Sequence, residues 1–208
     1  MHSANAGCAS VTTATDPQRP GGPARTAPGV DEPILAARAR AGDRTAFGEL
    51  VARYADQARR VARGVLQDPD DADDAAQDAF LAALVKLEQY DAARPFGPWL
   101  MRIVANAATD RRRRRTVRRA ESLDEGFIGG GPQPDAMAER AVLLGRLRKA
   151  LAELPERRRL AVVLFDVEGY AHAEIAEILG MPEGTVRSEV FHARRHLRTL
   201  LADWREQP

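Results

Sequence analysis

The sequence predicts an all-α protein built from two small helical domains. Three observations carry this. Apolar residues recur at spacings of three and four along most of the chain, and no segment alternates in the manner of a strand. Hydrophobic residues make up 44% of the 208 positions but aromatics only 5%, so the core must be mostly Ala, Leu and Val, which suits packed helices. A Gly- and Pro-rich break between about Ala120 and Asp135 divides the pattern in two. The boundaries read from the sequence are a disordered tail over 1–30, a first domain over 31–117, a flexible linker over 118–136 and a second domain over 137–208.

The tail rests on Pro17, Pro20, Pro23 and Pro28 with Gly21, Gly22 and Gly29, none of which suits a helix interior or a central strand. Ile34, Leu35 and Ala37 then predict a short amphipathic helix ending near Gly42. Phe47, Leu50, Val51, Tyr54, Ala58, Val61, Ala62 and Val65 predict a longer second helix, capped by Asp43 and closed by Asp68-Pro69. A third helix from about Asp70 places Ala76, Phe80, Ala83, Leu84 and Leu87 on one face. Gln89 to Pro98 reads as a loop. A fourth helix follows, with Trp99, Leu100, Ile103, Val104 and Ala107 inward, running into Arg111–Arg115. The second domain predicts helices near Ala138–Leu154, Glu156–Val167, His172–Leu179 and Glu183 to about Trp204.

Charge and cysteine content exclude several classes. The 31 basic and 30 acidic residues give a formal charge of +1, so a nucleic-acid site must come from local segregation of charge. One cysteine, Cys8, allows neither an internal disulfide framework nor a Cys-rich zinc site, which fits a reducing cytoplasm. No run approaches the length of a membrane span, and the N-terminus lacks a signal-peptide core. Four scattered His and no phosphate-cradling Gly-rich loop leave no catalytic set, so the sequence is read as a non-enzyme with no cofactor.

The most informative stretch is Ala171–Leu197. Ile175, Ala176, Ile178 and Leu179 face one short helix inward. Gly180 ends it by accepting a left-handed conformation. Pro182 stands at the start of the next helix, where Val186 and Val190 turn inward. This is the layout of a helix-turn-helix with a recognition helix for the major groove. The outward residues are Glu183, Thr185, Arg187, Ser188 and Phe191, then His192, Arg194, Arg195 and Arg198. A tight helical hairpin with a solvated basic face is the plainer alternative. Glu189, His192 and His196 share metal-ligand spacing, but no further Cys or His completes a site, so no metal is expected.

The first domain sets acid against base. Asp68, Asp70, Asp71, Asp73, Asp74 and Asp78 crowd the start of the third helix. The positive end of the helix dipole accounts for Asp70 to Asp74 but not for Gln77 and Asp78 further along. Such a cluster suits a basic protein surface better than DNA. At the other end, seven Arg in the nine positions 111–119 would repel one another without an anionic partner, and phosphate is the simplest. Asn106 and Asp110 precede them, and Asn can read exposed base edges.

With both domains in view the chain resembles an alternative sigma factor of bacterial RNA polymerase, of the extracytoplasmic-function group of the sigma-70 family. The resemblance rests on Ala41-Gly42-Asp43 with Ala46-Phe47, on Asp73-Asp74-Ala75-Ala76-Gln77-Asp78-Ala79-Phe80, and on Arg94-Pro95-Phe96 with Trp99-Leu100, continued by Asn106, Asp110 and Arg113. In the second domain it rests on Leu154-Pro155, on Glu174-Ile175-Ala176 with Leu179-Gly180, and on Pro182 through Ser188. It implies that the first domain is region two and the second is region four. It implies that Asp74, Gln77, Asp78 and Phe80 bind the beta-prime clamp helices of core RNA polymerase. It implies that Asn106, Asp110, Arg111, Arg113 and Arg114 bind the minus-ten element, with the loop Gln89–Phe96 shaping a pocket for a flipped base. Thr185, Arg187, Ser188, Phe191, His192, Arg194 and Arg195 would bind the minus-thirty-five element. Glu189 and His192 stand where many relatives carry Arg, so the reading of that element is expected to differ. The implied partners are core RNA polymerase, including its beta flap, promoter DNA and a separate anti-sigma factor. The free protein would be a cytoplasmic monomer.

The competing reading is a stand-alone helix-turn-helix regulator. It accounts for Ala171–Leu197 but not for the acidic helix, Asn106 or the Arg run, and it predicts a dimer on a palindromic site.

Overall fold

The structure is a computed structural model that describes residues 31–66, 68–121 and 136–202. The tail and most of the linker predicted from the sequence lie outside the described residues. Every regular element among the described residues is helical: α1 (Glu32–Arg40), α2 (Arg44–Val65), α3 (Pro69–Lys86), α4 (Phe96–Glu121), α5 (Ala136–Glu153), α6 (Glu156–Val162), α7 (His172–Leu179) and α8 (Glu183–Ala202).

Local chemistry fixes where these helices start. The Asp43 carboxylate accepts the N–H groups of Thr45 and Ala46 at 3.0 and 3.1 Å, satisfying two orphan donors of α2. Asp68 does the same for α3, taking Asp70 and Asp71 at 3.0 and 3.3 Å. Asp68-Pro69 therefore opens α3 rather than closing α2, with Pro69 in the first turn, where no N–H is needed. The same logic starts α4 at Phe96, earlier than the sequence suggested. Gly97 and Pro98 occupy its first turn, where neither breaks a hydrogen bond.

α1–α4 pack as one body and α5–α8 as another. In α1 the inward residues are Leu35, Ala36 and Ala39, while Ile34 and Ala37 point outward. α3 buries a stripe of Ala72, Ala75, Ala76, Ala79 and Ala83. These small side chains let it lie close against α2 and α4. Leu84, placed inward from the sequence, is exposed instead.

The two bodies are not separate. One apolar core runs from Leu35, Leu50, Val61 and Leu100 through Leu164, Ile175 and Val186. α7 packs on α4 and α6 packs on α2. At the junction a Cβ on Gly97 would lie 3.0 Å from the Tyr54 hydroxyl and 3.2 Å from that of Tyr170, so only glycine fits without a shift. Met101, Ala105 and Ala108 of α4 are buried because the helix is covered on this second side as well. After α6 the helix widens into a π turn over Val163–Val167, closed by the Glu168 N–H bonding the Val163 carbonyl at 3.0 Å.

Candidate nucleic-acid interface

The helix-turn-helix is built as the sequence predicts. The Glu174 carboxylate accepts the Ala171 N–H at 2.8 Å and fixes the start of α7. Gly180 ends it at φ +63°, a left-handed conformation that costs glycine nothing. The Met181 N–H then returns to the Ala176 carbonyl at 3.1 Å. The Pro182 carbonyl accepts from Thr185 and Val186 at 2.9 and 3.1 Å, which starts α8. Val186, Val190 and Ala193 are buried and set the rotation of α8.

That rotation exposes Thr185, Arg187, Ser188, Phe191, His192 and Arg195 together. Phe191 is 63% exposed, with its ring edge-on to His192 at 5.5 Å. Such a ring can meet a thymine methyl, and the flanking Ser, Thr and Arg can meet base edges or phosphates. Arg187 rests on Glu183 one turn earlier, at 2.7 Å.

Two residues of α8 are committed elsewhere. The Arg194 Nε donates to Asp166 at 2.9 Å, and its guanidinium sits 4.9 Å from the Phe165 ring centre. The Asp166 bond holds the Arg194 pKa above its ordinary value. Arg194 thus braces α8 to the π turn instead of reaching outward as the sequence suggested. Glu189 turns toward α6, where Arg158 Nε donates to it at 2.7 Å. Its charge is balanced inside the domain by Arg158. Among the described residues no group of His, Cys, Asp or Glu is placed to hold a metal ion.

On the first body, the acid and base runs largely meet each other. Arg111 Nε donates to Asp71 at 3.0 Å, one of its terminal nitrogens bonds Asp74 at 2.6 Å, and the other lies 3.7 Å from Asp78. Arg115 bonds Asp71 and lies 3.5 Å from Asp68. Arg63 and Arg59 of α2 approach Asp73 at 3.4 and 3.9 Å. Burial alone would raise the Asp71 carboxyl, but Arg111 and Arg115 outweigh it and hold it below its ordinary value. The anionic partner that the Arg run requires is therefore, for Arg111 and Arg115, the start of α3.

Asp74, Gln77 and Asp78 remain exposed on the outer face of α3. Leu81, Leu84 and Val85 continue that face at helical spacing and are also exposed, Val85 by 81%. The sequence reading missed this apolar extension. The signal was present, since a second apolar stripe stands opposite the alanines. Phe80 lies on the other side, half-buried against the core.

Asn106, Asp110, Arg113 and Arg114 are exposed on α4. Arg113 lies 3.9 Å from Asp110, a loose pair that leaves it available. One face of α4 leads from Asn106 back through Ile103 to Trp99. Trp99 stacks into a cluster with Tyr90 and Phe96, at ring distances of 5.1 and 5.3 Å. The Tyr90 hydroxyl donates to the Arg94 carbonyl at 2.5 Å, and burial pushes its pKa up to about 12. Asp91 accepts the Ala93 N–H at 3.0 Å. The loop between η-turn Leu87–Gln89 and α4 is thus held in shape beside the Asn106 face.

Comparison with known proteins is consistent across both bodies. The family model "Sigma-70 region 2" matches residues 50–118, and "Sigma-70, region 4" matches residues 144–197. The chain is 40% identical over 173 residues to the ECF RNA polymerase sigma factor SigM of Mycobacterium tuberculosis, covering 82% of this chain and 84% of SigM. It is 36% identical over 177 residues to the RNA polymerase sigma factor CnrH of Cupriavidus metallidurans, covering 81% of this chain and 93% of CnrH. Among solved structures, CnrH in complex with the cytosolic domain of CnrY superposes with a TM-score of 0.65 at 32% identity, covering 82% of this chain and 97% of that one. The sigma factor RpoE in complex with the anti-sigma factor NepR from Bartonella quintana gives a TM-score of 0.66 at 25% identity, covering 75% and 96%. Matched in order through both helical bodies, the chain belongs to the extracytoplasmic-function group of the sigma-70 family of RNA polymerase sigma factors.

Proposed function

We propose that this sigma factor divides its work between the two bodies as follows. The chain binds core RNA polymerase, recognises the minus-10 and minus-35 promoter elements and directs transcription initiation. Its polymerase-binding face is the outer side of α3, with Asp74, Gln77 and Asp78 supplying charge and polarity and Leu81, Leu84 and Val85 supplying apolar area. Asn106, Asp110, Arg113 and Arg114 meet the minus-10 strand, and binding energy rather than ATP offsets the unstacking of its bases. Thr185, Arg187, Ser188, Phe191, His192 and Arg195 enter the major groove of the minus-35 element.

The observation that carries this reading is the coexistence of two exposed faces on one chain: the acidic and apolar side of α3, and the polar, basic side of α8. A DNA-binding regulator needs only the second. No helix among the described residues is long and apolar enough to cross a membrane. The assignment to the cytoplasm rests on the likeness to RNA polymerase sigma factors. An anti-sigma factor is the expected regulator, as in the complex of the RpoE relative.

The test is run-off transcription with purified chain, core polymerase and a library of upstream fragments. Discrete starts that require the chain establish the function and give the promoter motif. Transcription unaltered by the chain, with a dimer bound to duplex DNA, would establish a stand-alone regulator instead.

A further inference from the structure

We propose that Arg158, on α6, is a phosphate contact for the minus-35 duplex and that Glu189 of α8 holds it in position. This rests on the functional reading above and adds to it a residue from outside α8.

The cations of α8 crowd one flank. At about 100° per residue, Arg187, Phe191, Arg194 and Arg198 follow one another at i, i+4, i+7 and i+11 along one side of the helix. Thr185, Glu189, His192 and His196 repeat that spacing along the other side. The buried Val186, Val190 and Ala193 separate the two stripes at the back, and the exposed Arg195 lies between them at the front. The first stripe is rich in arginine, whereas the second holds no Arg or Lys. A helix seated in the major groove has a sugar-phosphate backbone on either side. One backbone would therefore meet arginines of α8, and the other would meet Thr185, Glu189 and the two histidines.

Arg158 supplies the missing cation from the neighbouring helix. Its Nε donates to Glu189 at 2.7 Å. A guanidinium carries several N–H donors in a fixed fork, and this bond uses one of them. The Arg158 side chain is 30% exposed, and none of its nitrogens is both buried and unbonded. The remaining donors thus reach solvent beside the second stripe. Arg194, on the opposite flank, is in a different position. Asp166 takes its Nε and a terminal nitrogen, and its guanidinium lies against the Phe165 ring. Arg194 is spent within the body, whereas Arg158 is anchored at one edge and open at the rest. The anchor has a physical effect. A free arginine gives up rotamer entropy when it is fixed on DNA, and the Glu189 bond has already removed much of that freedom. Phosphate contacts set the register of a helix in the groove without reading bases. Arg158 would accordingly decide how α8 presents Thr185 and His192, with Glu189 as a positioning residue.

The test uses holoenzyme assembled from the full chain and core polymerase, on a duplex whose minus-35 element was found by run-off transcription. Each phosphate of that element is replaced in turn by an uncharged methylphosphonate. At one position the replacement should weaken binding of the wild type but not of Arg158→Ala. The salt dependence of Arg158→Ala should be shallower by about 0.9 in log–log slope, the value of one phosphate on B-DNA. Its loss of affinity should be equal on the cognate element and on altered ones. Glu189→Gln still offers an oxygen to the Arg158 Nε and should keep the sensitive position, whereas Glu189→Ala should lose much of it. Arg158→Ala with Glu189→Ala should retain the shallow slope. A return of that double variant to wild-type affinity and slope would mean that Arg158 only neutralises Glu189, and would overturn the proposal. A wild-type slope and an unchanged methylphosphonate pattern in Arg158→Ala would overturn it as well. Unchanged affinity for core polymerase reports that each variant is folded. Failure of the wild-type chain to start transcription would remove the functional reading and this proposal with it, whereas normal initiation without a phosphate that depends on Arg158 removes this proposal alone.

Discussion

Arg111→Ala separates two roles for one residue. The sequence places Arg111 among the phosphate-binding arginines, yet its guanidinium is spent on α3. A hydrogen bond to a charged group contributes about 1.5–3 kcal/mol when well shielded, and an exposed pair about 0–1 kcal/mol. Asp71 is 23% exposed, whereas Asp74 is 57% exposed, so the Asp71 bond dominates. Arg115 still covers Asp71 in the variant, which limits the damage. The expected loss is about 1–2 kcal/mol, or roughly 2–8 °C in Tm for a chain of this size. Urea unfolding should show a lower midpoint at unchanged slope. Arg114→Ala, which removes an exposed side chain, should leave the midpoint alone. It should instead reduce the salt dependence of single-strand binding by about 0.7 in log–log slope, the value of one lost phosphate contact. The reasoning is refuted if Arg111→Ala has wild-type stability and takes the salt-slope loss itself. That result would mean the α3 contacts yield to DNA at no cost.

Asp78→Arg should weaken binding to core polymerase, measured by competition for fluorescent core, and unchanged affinity would remove α3 from that interface. Asn106→Ala should impair strand opening more than closed-complex formation, so a normal permanganate footprint would end its role as a base reader. Arg187→Ala should cost about 1–3 kcal/mol on the cognate minus-35 duplex if it contacts a base, whereas an equal loss on every sequence would make it a phosphate contact. The Asp71 carboxyl is held below its ordinary 3.8 in the folded chain, so its contribution is present above that value and is lost as pH falls through the lower folded value. A Tm series in acid should therefore fall below about pH 4 in the wild type, and less steeply in Asp71→Asn.

Local patterns in the sequence were sufficient wherever one helix answers to its own residues. Asp43 as a cap, Gly180 as a left-handed stop, and Val186 with Val190 as the inward edge of α8 all follow from spacing and side-chain chemistry within a few positions. The exposed polar and basic face of α8 follows from the same register. What the sequence concealed depends on distant partners. Ile34 and Leu84 sit at plausible inward positions, but the neighbours that decide the matter come from other helices. Arg194 and Arg111 look like their exposed neighbours until Asp166 and Asp71 arrive from 28 and 40 positions away. The packing of region four on region two joins Tyr170 to Gln57 across 113 positions, and no periodicity encodes that.

The π turn at Val163–Val167 makes chain length itself a constrained quantity. Its one extra residue sends Asp166 toward Arg194 within region four and, just beyond, Glu168 toward Arg60 in region two. Each residue along a helix advances the side-chain direction by about 100°. Deleting a single position here would restore an ordinary helix and swing both carboxylates away from their arginines at once. A point substitution in the turn costs one contact, whereas a one-codon deletion would detune the bracing of α8 and the packing of the two bodies together. Insertions and deletions in this turn should thus be tolerated far less well than its individual side chains.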